Sequence, residues 1–352
     1  MDHEVLKIYT CKISRLIANL KGKHYPDKRL VDFQDDIIEL FDKVKAEILS
    51  NNFTAFPSSI QNVIKDILDS ISMSIEFLED SILNAIPFET VYCLERALKE
   101  WTDEEYLIVT SLKHNDYFFQ PLLSDENFYS FIDFRYGIKI RHRLIQISIP
   151  KNEANDYLFN VVLYHELGHF IDSKYLISQD IINNEFKHLR PNEQDQLRFH
   201  YGEYFSDIFA AQYIENCSST YLNYIASNSP DSFTHPATVK RIELVNNFLA
   251  NKSDSTLDKL KKATLEITNR DLQKRFSLIP IDDFINLLPP IIKSDSELHS
   301  LFIQGWLIWY HHRDKFGSMD ILKIYKIINN LIEKSISNYM VTSLWTEAHV
   351  SP

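Results

Sequence analysis

Glycine is scarce, six in 352 residues. A β-sandwich of many tight turns needs more of them, so the scarcity favours helices. Cysteine is scarcer still. Cys11, Cys93 and Cys217 stand far apart, form no CxxC pair and are odd in number, which argues against a disulfide framework and against a cysteine-rich zinc site. Excess positive charge is missing too. The formal net charge is −12, and the densest basic cluster is Arg141-His142-Arg143; neither gives the basic surface that a nucleic acid or an anionic membrane needs. No run approaches about 18 uncharged apolar residues, so no membrane span is expected. The start, MDHEVLKIYT, lacks the basic-then-apolar order of a secretory leader. The composition therefore leads us to expect a reduced, cytoplasmic protein with no nucleic-acid partner.

What is plentiful is Phe, Tyr, Ile and Leu at helical spacing. Leu6, Ile13, Leu16, Ile17 and Leu20 share one helix face, as do Ile37, Ile38, Leu40, Phe41 and Val44. Pro57-Ser58-Ser59 reads as a helix start. Residues 105–112 are β-prone. In 138–149, Ile145, Ile147 and Ile149 alternate with Gln146 and Ser148, the period of a half-buried strand. Ile138, Ile140 and Leu144 sit on the opposite parity, which calls for a turn or bulge near 142–145. Helices are expected at about 153–175 and 193–216, and again beyond 237. The expected fold is α+β and mostly helical: a helical N-terminal region (1–100), a core with a small sheet before its central helix (101–250), and a helical C-terminal region (251–352).

Chemistry concentrates in Tyr164-His165-Glu166-Leu167-Gly168-His169. On a helix, residues four apart lie on one face. His165 and His169 can thus turn imidazole nitrogens to one ion at about 2.0–2.1 Å. Glu166 is then placed to act as general base on a water at that ion. The bland alternative is two structural histidines beside an ion-paired glutamate. Three clustered polar groups on an apolar helix need a common partner, which favours the metal.

A hydrolytic zinc site takes a third protein ligand and keeps one position open. The metzincin pattern would need Gly at 172 and His at 175, where this chain has Asp172 and Tyr175. The better candidate is Glu203, with Asp207 one turn on to accept the other ring N–H of a ligand histidine; His200, Glu193 and Asp195 are alternatives. Gly168, Ser206, Ala210 and Ala211 are small, so the two helices can approach closely. Downstream, Thr234-His235-Pro236 precedes Arg241. His235 is a candidate donor to an oxyanion, and Arg241 a candidate partner for a site carboxylate. A capping-loop histidine and a surface arginine are the plainer readings.

These motifs, HELGH, then Glu203-x-x-x-Asp207, then T-H-P with Arg241, resemble the gluzincin metallopeptidases, nearest to the HtpX-like and CAAX-protease-like branch. They also resemble the soluble ImmA/IrrE regulators through Glu203 to Ala211. The resemblance covers about residues 155–245 and departs from the first branch by lacking membrane spans. It implies a zincin-like core and Zn2+ held by His165, His169 and Glu203. It further implies Glu166 as base, Asp207 as support, His235 near the transition state, and a protein or peptide as substrate. Strand 145–149 would be a sheet edge that pairs with extended substrate. The rival expectations are a non-enzymatic zinc-containing sensor or regulatory protein, and a scaffold without metal.

Overall fold

The computed structural model describes residues 3–25, 27–50, 52–81, 88–113, 118–120, 126–150 and 153–350. Residues 1–2, 26, 51 and 82–87 of the expected N-terminal region, 114–117, 121–125 and 151–152 of the expected core, and 351–352 of the C-terminal region lie outside them. In chain order the elements are α1 (His3–Leu20), α2 (Lys28–Leu49), α3 (Ser58–Asp80), α4 (Phe88–Lys99), β1 (Tyr106–Lys113), β2 (Phe118–Gln120), α5 (Glu126–Tyr136) and β3 (Arg143–Pro150). Then follow α6 (Val162–Tyr175), α7 (Ile177–Glu185), α8 (Pro191–Ile214), α9 (Cys217–Ile225), α10 (Thr238–Leu249), α11 (Ser255–Thr268), α12 (Asp282–Ile285), α13 (Asp295–His311) and α14 (Ile321–Val350). The mostly helical α+β class is thus observed. Among the described residues, no helix is long and apolar enough to cross a membrane.

The chain divides into two compact units, residues 1–88 with 104–154, and residues 89–103 with 155–352. Of the expected regions, 1–100 and 101–250 are each shared between the units, and 251–352 lies wholly in the second.

The first unit is built on the apolar stripes read from the sequence. Leu6, Ile13, Ile37, Leu40, Val44, Ile64 and Ile71 are buried in one core, joined by Leu107 of β1, Ile132 of α5 and Leu144 of β3. Asp27 caps α2 by accepting from Arg29 N at 2.8 Å, which satisfies one of the orphan amides of that helix end. The sheet has the order β1-β3-β2. β1 runs parallel to β3 with Tyr106 opposite Arg143, and β2 runs antiparallel with Phe118 opposite Ser148.

Two expectations for this strand are corrected. β3 is central and not a sheet edge: β1 pairs with it along its whole length, and β2 pairs with it at Gln146, Ile147 and Ser148. Nor is it half-buried: Gln146 and Ser148 are as enclosed as the isoleucines. A strand paired on both edges and covered on both faces loses the alternation of exposure that its sequence suggests. The parity change has a simple cause. Residues 138–142 are not strand; Gly137, at φ 61°, turns the chain out of α5, and Arg141 N donates to Asp36 Oδ2 at 2.8 Å, holding the segment to α2.

The second unit centres on α6 and α8. α6 begins at Val162, later than the expected start near 153. Asp156 Oδ1 accepts from Leu158 N at 3.1 Å and Phe159 N at 3.3 Å, a side-chain turn that competes with helix. Leu176, left-handed at φ 55°, ends α6. Asp172 secures that corner, accepting from Ser178 N at 2.8 Å and Ser178 Oγ at 2.6 Å. Pro191 opens α8 at a position where its missing N–H costs nothing. Behind α8, Trp101 Nε1 donates to Tyr213 Oη at 2.9 Å, which ties residues 89–103 to this unit.

Candidate metal centre

Two helices carry the centre, and one glycine sets their separation. A Cβ built on Gly168 would lie 2.7 Å from Ser206 Cα and 3.1 Å from Phe209 Cβ. Backbone therefore meets backbone where α6 and α8 cross, as the small residues foretold. That approach puts His165 and His169 of α6 opposite Glu203 and Asp207 of α8.

Among the described residues, His165, His169 and Glu203 form a group whose ligand atoms all lie within 4.8 Å of one another. His165 Nε2 is 3.4 Å from Glu203 Oε2, and His169 Nε2 is 3.5 Å from Glu203 Oε1. Donors about 2.0–2.1 Å from a tetrahedral ion stand about 3.4 Å apart. The two histidine-to-carboxylate separations, each to a different oxygen of Glu203, are close to that value, and two imidazole nitrogens with a carboxylate are a donor set that suits zinc.

The groups around Glu203 divide into an enclosed edge and an open one. On the enclosed edge, Arg241 forks onto Asp207 through Nε and Nη2 at 2.7 and 2.8 Å. Its Nη2 also reaches Glu203 Oε2 at 3.0 Å, and Asp207 Oδ1 faces His165 Nδ1 at 3.0 Å. On the open edge, His235 Nε2 stands 3.5 Å from Glu203 Oε1 with its side chain 60% exposed. His169 there is 27% exposed, against 9% for His165. Glu166 is buried beside the ligands, and its charge acts on Arg241.

Burial disfavours the charged form of each group, and pairing decides the outcome. For His165 burial pulls the pKa down, but Asp207 and Glu203 raise it to about 10. For His169 burial prevails and lowers it to about 4. Burial would raise Glu203, yet His169, His165 and Arg241 hold it well below the usual carboxylate range. Asp207 is lowered against the same burial by Arg241 and His165. Arg241 is raised because Asp207 and Glu203 outweigh its own burial.

The structure thus brings together His165, Glu166, His169, Glu203, Asp207, His235 and Arg241. The plain reading of a surface arginine does not describe Arg241, which is buried; His235 does lie in the loop before α10, 60% exposed, with its Nε2 turned toward Glu203. The alternative third ligands are engaged elsewhere. His200 Nε2 lies 2.8 Å from Ser232 O. Glu193 accepts from Arg190 N at 3.1 Å in the α8 capping box, and Asp195 lies 4.0 Å from Arg198. The role that sequence reasoning missed belongs to His200. Together with Gln196 Nε2, 3.3 Å from the same carbonyl, it fastens the His235 segment to α8. A backbone acceptor 32 residues away leaves no spacing pattern to read.

The tyrosine at the place where a metzincin would carry its third histidine has a structural partner instead. Tyr175 Oη donates to Trp101 O at 2.7 Å. No protein-family model, curated protein or solved structure matches this chain.

Proposed function

We propose that the chain is a zinc-dependent peptidase of gluzincin type, with His165, His169 and Glu203 holding the metal. The observation that carries the reading is the mutual spacing of these three ligand groups, next to a buried Glu166 and open on one side. Zinc, when bound, polarises a scissile carbonyl and makes water a nucleophile near neutral pH.

The chain's own residues supply the rest. Glu166 takes the proton of the attacking water and passes it to the leaving amine. Asp207 holds the tautomer and orientation of His165 through Nδ1. Arg241 keeps Asp207 and Glu203 ionised and fixed with its two-armed grip. His235, at the exposed rim, donates to the oxyanion that forms as water adds to the carbonyl.

The test pairs metal content with turnover. Purified chain and Glu166→Gln should each carry about one zinc. Cleavage of a mixed peptide pool should fall by about 10²- to 10⁴-fold in the variant. Zinc in both with equal cleavage would remove Glu166 as base. Zinc in both with no cleavage by either would favour a zinc-containing sensor, and no zinc in either a scaffold.

A further inference from the structure

One turn before Glu203 along α8 stands the first of a pair of half-exposed aromatic residues, Phe199, which carries the Arg198 guanidinium over one ring face, 4.5 Å from the ring centroid. Phe199 stands four residues before Glu203, one turn away on the same helix face. Its ring lies 5.9 Å from that of Phe233, inclined at 60°. Phe233 in turn stands two residues before His235. The two residues are 37% and 44% exposed.

This pair is not needed to hold the segment in place. Ser232 is fastened to α8 by His200 and Gln196. Ser232 N donates to His235 O at 2.8 Å and His235 N donates to Ser232 Oγ at 2.9 Å. Asp231 takes Ala237 N at 2.7 Å and pairs with Lys240. Polar bonds therefore fix the backbone on both sides of Phe233 and present its ring beside Phe199. Apolar surface next to a cluster of polar, reactive groups is the usual material of a binding subsite.

Resting on the peptidase reading, we propose that Phe199 and Phe233 form an apolar subsite for a large aliphatic or aromatic side chain of the substrate. The substrate class is then an extended peptide with such a residue close to the scissile bond. Four residues of helix span about 6 Å. An extended peptide rises about 3.3 Å per residue, so the apolar residue falls one or two positions from the bond at the centre.

The test uses zinc-loaded full-length Glu166→Gln, so that binding is read without cleavage. Its probes are fluorescent Gly/Ser peptides carrying Leu, Phe, Ser or Asp at one central position. The Leu and Phe peptides should bind about ten-fold or more tighter than the Ser peptide. Phe199→Ser and Phe233→Ser should each erase most of that preference and leave the Ser peptide's affinity nearly unchanged, while Phe233→Leu should retain it. Equal affinities for all four peptides, or a preference intact in both Ser variants, would overturn the subsite. Should Phe233→Ser disturb its segment, Phe199→Ser, on a helix face, still decides. The same peptides offered to the chain with Glu166 restored separate the two claims. Cleavage without apolar preference removes the subsite and keeps the peptidase; apolar preference without cleavage does the reverse.

Discussion

The three N-terminal helices and the α6–α8 pair are both buried helix packings, but they rest on opposite physics. α1, α2 and α3 enclose Leu, Ile, Val and Phe. Their buried hydroxyls turn back on their own helices: Thr10 Oγ1 donates to Leu6 O and Ser74 Oγ to Ser70 O, each at 2.8 Å. The carboxylate of Asp36, buried on α2, is matched from the surface by Arg141, which also bonds to Asp32. α6 and α8 instead bury His165, Glu166, Glu203 and Asp207, with Arg241 brought in from α10. Burying charge costs more than apolar packing returns unless every charge is matched. The first region spends its interior on stability and the second spends it on holding reactive groups.

Removing one charge should break the second region hardest. Arg241→Met leaves Asp207 and Glu203 enclosed with only the histidines opposite them. Metal-free protein should lose about 3–5 kcal/mol in urea unfolding. A loss below about 1 kcal/mol, the worth of a surface pair, would show that the enclosed edge is effectively wet.

The matching cut in the first region is Leu40→Ala, at a fully buried position of α2. It should cost about 2–5 kcal/mol through lost transfer energy and the cavity left behind. The contrast lies in the second readout. Leu40→Ala should leave zinc per folded chain unchanged, whereas Arg241→Met should alter it. A variant of the apolar core that also loses zinc would join the two regions into one energetic unit and end the distinction.

The same contrast explains what the sequence made legible. Apolar periodicity writes the packing of α1 to α3 directly, because one stripe suffices to define one face. HELGH and Glu203/Asp207 are legible because helical spacing alone puts them on faces. The start of α6 was misplaced because Asp156 competes for the backbone through its side chain, and local propensity does not show that contest. The centrality of β3 was missed because β2, Phe118–Gln120, is only three residues long and leaves almost no pattern. The anchoring of the His235 segment by His200 depends on a carbonyl, which every residue possesses.

Gly168 tests the boundary between these two physics most finely, since its effect depends on sign. In an ordinary helix, Gly→Ala gains about 1 kcal/mol from reduced backbone freedom in the unfolded chain. Here the added Cβ would stand 2.7 Å from Ser206 Cα. That neighbour is backbone and cannot rotate aside, so α6 and α8 must part. Overpacking of this kind costs about 1–3 kcal/mol, which outweighs the propensity gain. Gly305 gives the control: its closest neighbours are the tips of Ile332 and Leu158 side chains, at 2.8 and 3.0 Å, which can move. Gly168→Ala should therefore lower the thermal midpoint more than Gly305→Ala does. It should also weaken zinc binding by about ten-fold or more, because His169 is the next residue and Glu203 lies one turn before Ser206. A Gly168→Ala protein that is more stable and binds zinc unchanged would mean that the helices have slack, and that the spacing of the ligands is not set by their contact.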